Sequence, residues 1–114
     1  MQKDSQSVLV SIACPNQEAA MKLGKKLVAE KLVACAQLFP IHSIYRWKGK
    51  VESDPEVMLQ AKTMSKKLEA LERLVLEIHE YEVPEIIATP ILWGHQAYLD
   101  WMKEQTTLND GGVS

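Results

Sequence analysis

The feature that most constrains the fold is a long β-hairpin in the middle of the chain. Residues 34–47 (ACAQLFPIHSIYRW) are rich in β-forming side chains, and residues 51–63 (VESDPEVMLQAKT) return after the turn WKGK. The first strand, of about 13 residues at roughly 3.3 Å each, would reach about 43 Å if straight. A compact domain of this length has a diameter of only roughly 34 Å. We therefore expect the hairpin tip, residues 45–51, to overhang the body of the protein.

The hairpin also carries information about assembly. Pro40 and Pro55 should lie at sheet edges or bulges, because proline cannot donate a hydrogen bond to a central ladder. An overhanging hairpin presents unpaired backbone and the apolar surfaces of Ile44, Tyr45 and Trp47, which a soluble protein normally covers. These features predict a homo-oligomer in which sheets join across subunits.

One strand and one helix are predicted before the hairpin. The short, apolar and β-branched stretch SVLVSIAC at 7–14 indicates a buried strand. Asn16 is a favourable N-cap for a helix over 17–33, whose apolar residues recur at helical spacing. Gly24 lies on that apolar stripe and lowers helix propensity, so we expect it to permit close packing of the helix on a sheet.

Three further elements follow the hairpin. Ser65 is expected to cap a second helix that ends near His79, because Pro84 disfavours helix at the residue before it. An apolar strand over 85–92 and a short amphipathic helix over 95–105 complete the chain. The order β-α-β-β-α-β-α predicts an α+β fold, a ferredoxin-like sandwich with a long extended hairpin and a short C-terminal helix.

Length and composition limit the functional classes. A chain of 114 residues fits a single domain over 1–114, in which we expect residues 1–6 and 108–114 to be flexible. The net charge of -2 gives no overall basic field for nucleic acid. The first residues, MQKDSQS, lack the apolar core of a signal peptide, and no apolar run approaches the roughly 20 residues that span a bilayer. We therefore expect a cytoplasmic protein with no membrane or nucleic-acid partner.

The segment HEYEVPE at 79–85 contains several residues that are candidates for metal binding or acid–base chemistry. His79 is a possible metal ligand or acid–base group, or alternatively a polar residue that closes a helix C-terminus. Ferredoxin-like topology places Cys14 at the same pole as His79, whereas Cys35 would meet His79 only across a subunit interface. Both cysteines are expected to be free thiols, and either is alternatively a small buried hydrophobe.

Other polar and aromatic residues border the same region in this interpretation. If residues 80–83 are extended, Glu80 and Glu82 face away from Tyr81, and Glu85 lies beyond Pro84. Lys62 is a candidate for holding an anionic ligand or for a structural ion pair with Glu85. Trp47 is a candidate for stacking on a ligand, or for burial against a neighbouring subunit.

Several segments resemble the divalent-cation-tolerance (CutA) family. They are CPN near residue 15, the stretch 29–52, EVMLQAKT at 56–63, HEYEVPEIIATPI at 79–91 and YLDWM near the end. The resemblance covers about residues 7–105, and its most specific parts are the W-x-G-K turn and the H-x-Y-x-x-P-E segment. It implies a ferredoxin-like fold like that of the PII signalling proteins, a tight homotrimer, and a link to tolerance of copper and other divalent metals.

The resemblance also bears on the site residues. The candidate metal ligands are His79, Cys14 and Cys35, of which only His79 matches the family motif. The candidate ligand cleft comprises Trp47, Lys62, Tyr81 and Glu85, and the resemblance of Glu85 to the motif glutamate makes it the better cleft candidate among the glutamates. The chain departs from the family pattern at three positions. Glu80 replaces the proline of an H-P-Y motif, and Ile12 and Ile78 stand where some members carry a cysteine and an extra histidine.

The leading functional hypothesis is a trimeric protein of metal homeostasis or regulation. Copper, another divalent cation or a small ligand would bind in clefts between subunits. The alternatives are a structural or PII-like signalling trimer without metal and, less favoured, a ferredoxin-like hydrolase. We expect no enzymatic activity, because the sequence lacks a glycine-rich phosphate loop and a nucleophile elbow.

Overall fold

The computed structural model describes residues 5–107. Four strands, three α-helices and one 3₁₀ turn follow in the order β1 (Ser7–Cys14), α1 (Gln17–Ala29), β2 (Cys35–Trp47), β3 (Lys50–Met64), the 3₁₀ turn (Ser65–Lys67), α2 (Leu68–Ile78), β4 (Ile86–Pro90) and α3 (Gln96–Gln105). The predicted order of elements and the α+β, ferredoxin-like fold class are confirmed.

The sheet has the order β2-β3-β1-β4, and every neighbouring pair is antiparallel. Residues of β1, β3, α1 and α2 form one apolar core. Its fully buried members include Val10 and Ile12 on β1, Leu59 on β3 and Leu71 on α2. The core therefore lies between the central strands and the two longer helices. The hairpin tip and the connection from α2 to β4 contribute no residue to it.

Helix α1 begins and packs as the sequence predicts. The Asn16 side chain accepts a hydrogen bond from the Ala19 N–H at 2.8 Å, which satisfies one of the unpaired donors of the first turn. A Cβ atom added at Gly24 would lie 3.4 Å from the Ala36 Cβ and 3.6 Å from a methyl group of Leu59. The absence of a side chain at Gly24 thus lets α1 lie close to β2 and β3.

Three predicted details are wrong. Helix α1 ends at Ala29 rather than residue 33, because Lys31 adopts φ 60°, a left-handed conformation that breaks the helix. The Ser65 hydroxyl does not cap the second helix but accepts a hydrogen bond from the Gln6 N–H at 2.9 Å. The last strand is limited to Ile86–Pro90, where it pairs with β1.

The hairpin overhangs the sheet, as predicted. Strand β3 pairs with β1 only as far as Val57, which lies opposite Cys14, whereas its pairing with β2 continues without a bulge to Trp47 opposite Lys50. Residues 41–56 therefore extend beyond β1, and the molecule measures 50 × 29 × 23 Å.

The predicted positions of the two prolines agree with this geometry. Pro40 lies on β2, which is one of the two outer strands of the sheet. Pro55 lies on the part of β3 beyond the last pair with β1 at Val57, where β3 has a partner on only one side. Both prolines thus occupy sheet edges, where a missing N–H leaves no gap in a ladder.

The two predicted flexible ends fall mostly outside the described residues. Residues 1–4 and 108–114 are not among those the structure describes. Ser5 and Gln6 are described, and both contact the 3₁₀ turn. The Ser5 hydroxyl accepts a hydrogen bond from the Lys66 N–H at 3.2 Å, and the Gln6 N–H donates to Ser65.

Candidate ligand groove

A groove with a volume of about 620 Å³ lies between the overhanging hairpin and the connection from α2 to β4. We call it the acidic groove. Its lining residues are Ala13 of β1, Ser43, Ile44, Tyr45 and Trp47 of β2, Glu56 of β3, and Glu80, Tyr81, Glu82, Val83 and Glu85 of the connection. The groove thus exists because the hairpin continues past the end of β1 and leaves one of its faces uncovered.

His79 fixes the start of the connection. Its backbone is extended (φ -73°, ψ 141°) and ends α2, as predicted. The His79 Nε2–H donates to the Ala13 carbonyl at 2.8 Å, and the Tyr81 N–H donates to His79 Nδ1 at 3.1 Å. These bonds assign the neutral tautomer with the proton on Nε2. Both ring nitrogens are therefore engaged in holding Tyr81 against β1.

Tyr81 and Glu56 form the buried polar contact of the groove. The Tyr81 hydroxyl donates to Glu56 Oε2 at 2.5 Å, and the Glu56 residue is only 9% exposed. Burial raises the pKa of Tyr81 well above its usual range, and the hydrogen bond to Glu56 raises it further. The phenol therefore stays protonated at physiological pH and remains a donor to the carboxylate.

Tyr45 forms a similar contact nearer the hairpin tip. Its hydroxyl donates to Asp54 Oδ2 at 2.8 Å across the β2–β3 pair. This hydrogen bond is the main reason why the pKa of Tyr45 is raised to about 12. The two tyrosines consequently present their rings to the groove while their hydroxyls are occupied by carboxylates.

The electrostatic character of the groove follows from its lining. Four carboxylates line it, from Glu56, Glu80, Glu82 and Glu85, together with the aromatic rings of Tyr45, Trp47 and Tyr81. No lysine, arginine or histidine is among the lining residues that the structure describes. Carboxylates and aromatic faces both attract cations, so the groove favours a positively charged ligand.

The structure brings together three of the four predicted cleft residues. Trp47, Tyr81 and Glu85 line the acidic groove. Lys62 lies elsewhere on β3, opposite Leu9 of β1 and Cys35 of β2, and its ammonium donates to the Gln37 side chain. Within one chain, Lys62 therefore does not border the groove.

The predicted orientation of the connection is wrong. Residues 80–83 are a series of bends rather than an extended strand. Glu80, Tyr81, Glu82 and Val83 consequently all line the groove, instead of alternating between two sides. Glu56 was not predicted as a site residue. Its only signal in the sequence is its place after Pro55, where β3 reaches the end of β1.

The predicted metal ligands divide between two poles of the fold. Cys14 and His79 border one small cavity of about 60 Å³, which confirms that they share a pole. Cys35 lies at the other end of the sheet, where its sulfur is 3.4 Å from the Tyr98 hydroxyl. Among residues 5–107, no group of three or more histidine, cysteine, aspartate or glutamate side chains is placed to hold a metal ion.

The chemistry of Cys14 and His79 also does not fit a metal in the single chain. Burial, with a smaller contribution from Glu56, raises the pKa of Cys14 from 9.0 to about 11, whereas metals bind the thiolate. A metal at His79 would have to displace the Ala13 carbonyl or the Tyr81 N–H. A metal site formed by His79, Cys14 and Cys35 stays a prediction, and it would require a second chain.

In the described part of the chain, no helix has the length and apolar character required to cross a membrane.

Comparisons with known proteins agree with the fold and cover nearly all of it. The family model of the CutA1 divalent ion tolerance protein matches residues 8–105. The chloroplastic CutA protein of Arabidopsis thaliana is 48% identical over 101 residues, which cover 88% of this chain and 56% of that protein. This chain spans about half the length of the plant and mammalian curated relatives that it matches.

Solved structures give a fuller overlap. The divalent cation tolerance protein of Thermus thermophilus is 42% identical, with a TM-score of 0.87 over 90% of this chain and 100% of that chain. The periplasmic divalent cation tolerance protein CutA of Archaeoglobus fulgidus is 35% identical, with a TM-score of 0.88 over 90% and 100% of the two chains.

Proposed function

This chain belongs to the CutA1 divalent ion tolerance family, and from that premise we propose that it is a homotrimer whose acidic groove binds a divalent cation at the boundary between subunits. The role would be regulatory or homeostatic rather than enzymatic. The observation that carries the proposal is the lining of the groove, with four carboxylates and no basic side chain among the described residues. The description of the family names tolerance of divalent ions, which agrees with a site that attracts cations.

The trimer is supported by apolar surface that a single chain leaves uncovered. Ile44 is 73% and Val51 66% exposed on the overhanging hairpin. Leu92 and Trp93, which follow β4, are 98% and 82% exposed. Large apolar side chains at such exposure are typical of protein interfaces, where they form the buried anchors. A second chain over Ile44 would also cover part of the acidic groove, because Ile44 is one of its lining residues.

Sedimentation equilibrium tests the assembly. We expect a species of three times the chain mass of 12.9 kDa at micromolar concentration. Leu92→Glu should dissociate it, because a charge would be buried in the interface. Leu76→Glu is the matched control, since Leu76 is an exposed leucine on α2. A wild-type monomer, or equal masses for the two variants, would contradict the proposed interface.

The donor set determines which cations to test. Carboxylate oxygens suit manganese and similar ions, whereas copper prefers sites with nitrogen or sulfur ligands. Copper binding therefore remains a prediction that depends on His79, Cys14 or Cys35 from more than one subunit. Calorimetry with Mn²⁺, Zn²⁺ and Cu²⁺ on the assembled protein separates these possibilities.

The groove is tested by Glu85→Gln, which removes one carboxylate of the lining and nearly preserves its shape. We expect Mn²⁺ affinity to fall by about tenfold, because a contact to a charged group contributes roughly 1.5–3 kcal/mol. Glu72→Gln is the control, since it removes a carboxylate from the exposed face of α2. Equal affinity in wild type and Glu85→Gln would rule out the groove as the cation site.

The size of the groove favours a second candidate, a small organic cation. A volume of about 620 Å³ lies within the range of roughly 300–1,000 Å³ that is usual for small-molecule sites. The rings of Tyr45, Trp47 and Tyr81 would stack on such a ligand. Binding of the diamine putrescine that is lost in Trp47→Ala, without binding of Mn²⁺, would establish this alternative and replace the metal ion.

A cytoplasmic location is part of the proposal as well. The plant relative is described as chloroplastic and the archaeal structure as periplasmic, so proteins of this fold are found in different compartments. Fractionation of cells that express the native gene, with antibody detection of the chain, tests the location directly. Recovery of the chain in the periplasm or in an organelle would contradict it.

A further inference from the structure

An apolar groove lies between α1 and the outer strand β2. We call it the α1–β2 groove. It has a volume of about 360 Å³, and its lining includes Met21, Gly24 and Val28 of α1 and Ala36 and Leu38 of β2. Gly24 has no side chain and Ala36 has a small one, which leaves space between the helix and the strand. Met21 and Val28 are exposed, so apolar surface stays open to solvent beside an unpaired strand edge.

The opposite edge of the same sheet carries apolar side chains that the described residues leave uncovered. Strand β4 pairs only with β1, and the Ile91 N–H extends this ladder by donating to the Ser7 carbonyl at 3.0 Å. The next two residues are Leu92 and Trp93, the first almost fully exposed and the second largely so. One chain therefore has an unfilled apolar groove at one sheet edge and two unburied apolar side chains at the other.

Leu92 lies on the same side of the sheet as the groove. Pro90 of β4 pairs with Val8 of β1, which belongs to the core between the sheet and the helices. Because side chains alternate along an extended segment, Leu92 continues the helix-side row two residues after Pro90. The part of β2 that lines the groove packs against the same core. A chain whose β4 edge lies beside β2 of another chain therefore places Leu92 on the face that contains the groove.

Both strand edges also present backbone groups that lack partners. Strands β2 and β4 are the outer strands, so one edge of each has N–H and C=O groups without a ladder partner in the single chain. An extended segment that adds to a sheet edge gains main-chain hydrogen bonds, and pockets for alternate side chains make the pairing specific. Leu92 is such a side chain, and the α1–β2 groove is such a pocket.

We propose that Leu92 and Trp93 of one chain dock in the α1–β2 groove of the next chain. The occupant of the groove is thus a second copy of this chain. The contact is head-to-tail, since it joins different edges of two sheets, and repetition of such a contact closes into a ring when the rotation between chains allows it. The inference rests on the proposed homotrimer and specifies which surfaces meet in it. It does not depend on cation binding in the acidic groove.

Cross-linking of a double cysteine variant tests the contact. Val28→Cys places a thiol on the wall of the groove, and Leu92→Cys replaces the docked side chain. Cys35→Ser removes the half-buried native thiol, whereas Cys14 is buried. Within one chain the two new thiols lie at opposite edges of a four-stranded sheet, about 14 Å or more apart. A short bismaleimide therefore links them only between chains.

We expect covalent dimers and trimers in denaturing electrophoresis of the double variant, and single chains for either change alone. Leu76→Cys combined with Leu92→Cys is the control, since Leu76 is exposed on α2 and lies outside the groove. Dimers from Leu92→Cys alone would indicate a symmetric contact and overturn the docking. Absence of cross-links in an assembly of trimeric mass would overturn the docking and leave the trimer in place. A ladder beyond three chains would support the docking and overturn the trimer.

An exchange of charges tests whether the two positions meet. Val28→Glu and Leu92→Lys each place a charge in the proposed contact, and we expect each to weaken the assembly by about tenfold or more in sedimentation equilibrium. Both positions are exposed in the single chain, so neither change should prevent folding. The two changes in one chain should recover most of the loss, because opposite charges then meet across every contact. Losses that add without recovery would overturn the proposal.

Discussion

Glu56 and Lys67 have the same exposed fraction, 9%, but they differ in the groups that surround their charges. The Glu56 carboxylate accepts a hydrogen bond from the Tyr81 hydroxyl, and Tyr81 is held in turn by His79. The Lys67 ammonium has no such partner among the described residues, and the charges beside it are of the same sign. Low exposure of a residue therefore does not by itself show that the protein supplies a hydrogen-bond partner for its charged group.

The difference assigns separate roles to the two ends. At the groove end, a chain of hydrogen bonds from Ala13 through His79 and Tyr81 to Glu56 fixes the wall of the site. Because the polar groups of this wall already have hydrogen-bond partners, its remaining carboxylates can bind a cation without rearrangement. This lowers the free-energy cost of binding. At the lysine end, burial and the charges of Lys66 and Lys31 disfavour the charged form of Lys67 and lower its pKa.

The largest effect is expected for His79→Ala, which removes both bonds of the imidazole. The Ala13 carbonyl and the Tyr81 N–H lose their partners, and each unsatisfied buried group costs roughly 1–3 kcal/mol. We expect the free energy of unfolding to fall by about 2–3 kcal/mol in urea titrations at a fixed protein concentration. His95→Ala, at an exposed histidine, is the control. A loss below about 0.5 kcal/mol would show that the imidazole does not hold the connection.

A smaller effect is expected for Tyr81→Phe. This variant keeps the ring but leaves the buried Glu56 carboxylate without its donor, which should cost about 1–2 kcal/mol. Tyr98→Phe removes a hydroxyl whose partner is the sulfur of Cys35, a weak acceptor, and should change stability by less than about 0.5 kcal/mol. Equal losses in the two variants would contradict a special role for the contact between Tyr81 and Glu56.

The free energy of unfolding at alkaline pH tests the groove end of the molecule, where Cys14 lies. The pKa of Cys14 rises from 9.0 to about 11 on folding, so the folded state retains its proton longer than the unfolded state. The resulting stabilisation is complete below pH 9 and is lost as the pH rises toward 11. We expect unfolding free energies to decline over this interval, and Cys14→Ala should reduce the decline. An unchanged slope in Cys14→Ala would show that another group dominates.

The smallest effect is expected at the lysine end. Lys67→Met removes a charge that partial burial and the neighbouring charges of Lys66 and Lys31 disfavour. In anion-free buffer, we expect it to leave stability unchanged or to raise it by up to about 0.5 kcal/mol. A marked destabilisation would mean that the ammonium group has a favourable partner, and the contrast between Lys67 and Glu56 would then fail.

The sequence predicts the elements better than the site, and the reason is physical. Apolar periodicity and the Asn16 cap are local signals, so the strands and the start of α1 follow from them. The end of α1 depends on the left-handed backbone of Lys31, for which lysine carries no local signal. Of the groove, the family resemblance predicts Glu85, whereas Trp47 is predicted as an aromatic residue of the hairpin and Tyr81 as part of the segment HEYEVPE.

The contact between Tyr81 and Glu56 was not found, because it joins residues 25 positions apart. It depends on the bends at 80–83, and no local signal in the sequence distinguishes these bends from an extended segment. Tertiary contacts of this kind decide which carboxylates converge. Sequence spacing alone did not place them.

A crystal structure of the assembled protein soaked with Mn²⁺, with anomalous scattering collected at the metal edge, is the decisive test of a cation site between subunits. We expect three chains related by threefold symmetry and an anomalous peak in each acidic groove, with oxygen ligands from two chains. A peak at Cys14 and His79 instead, or grooves that face solvent without a neighbouring chain, would contradict it.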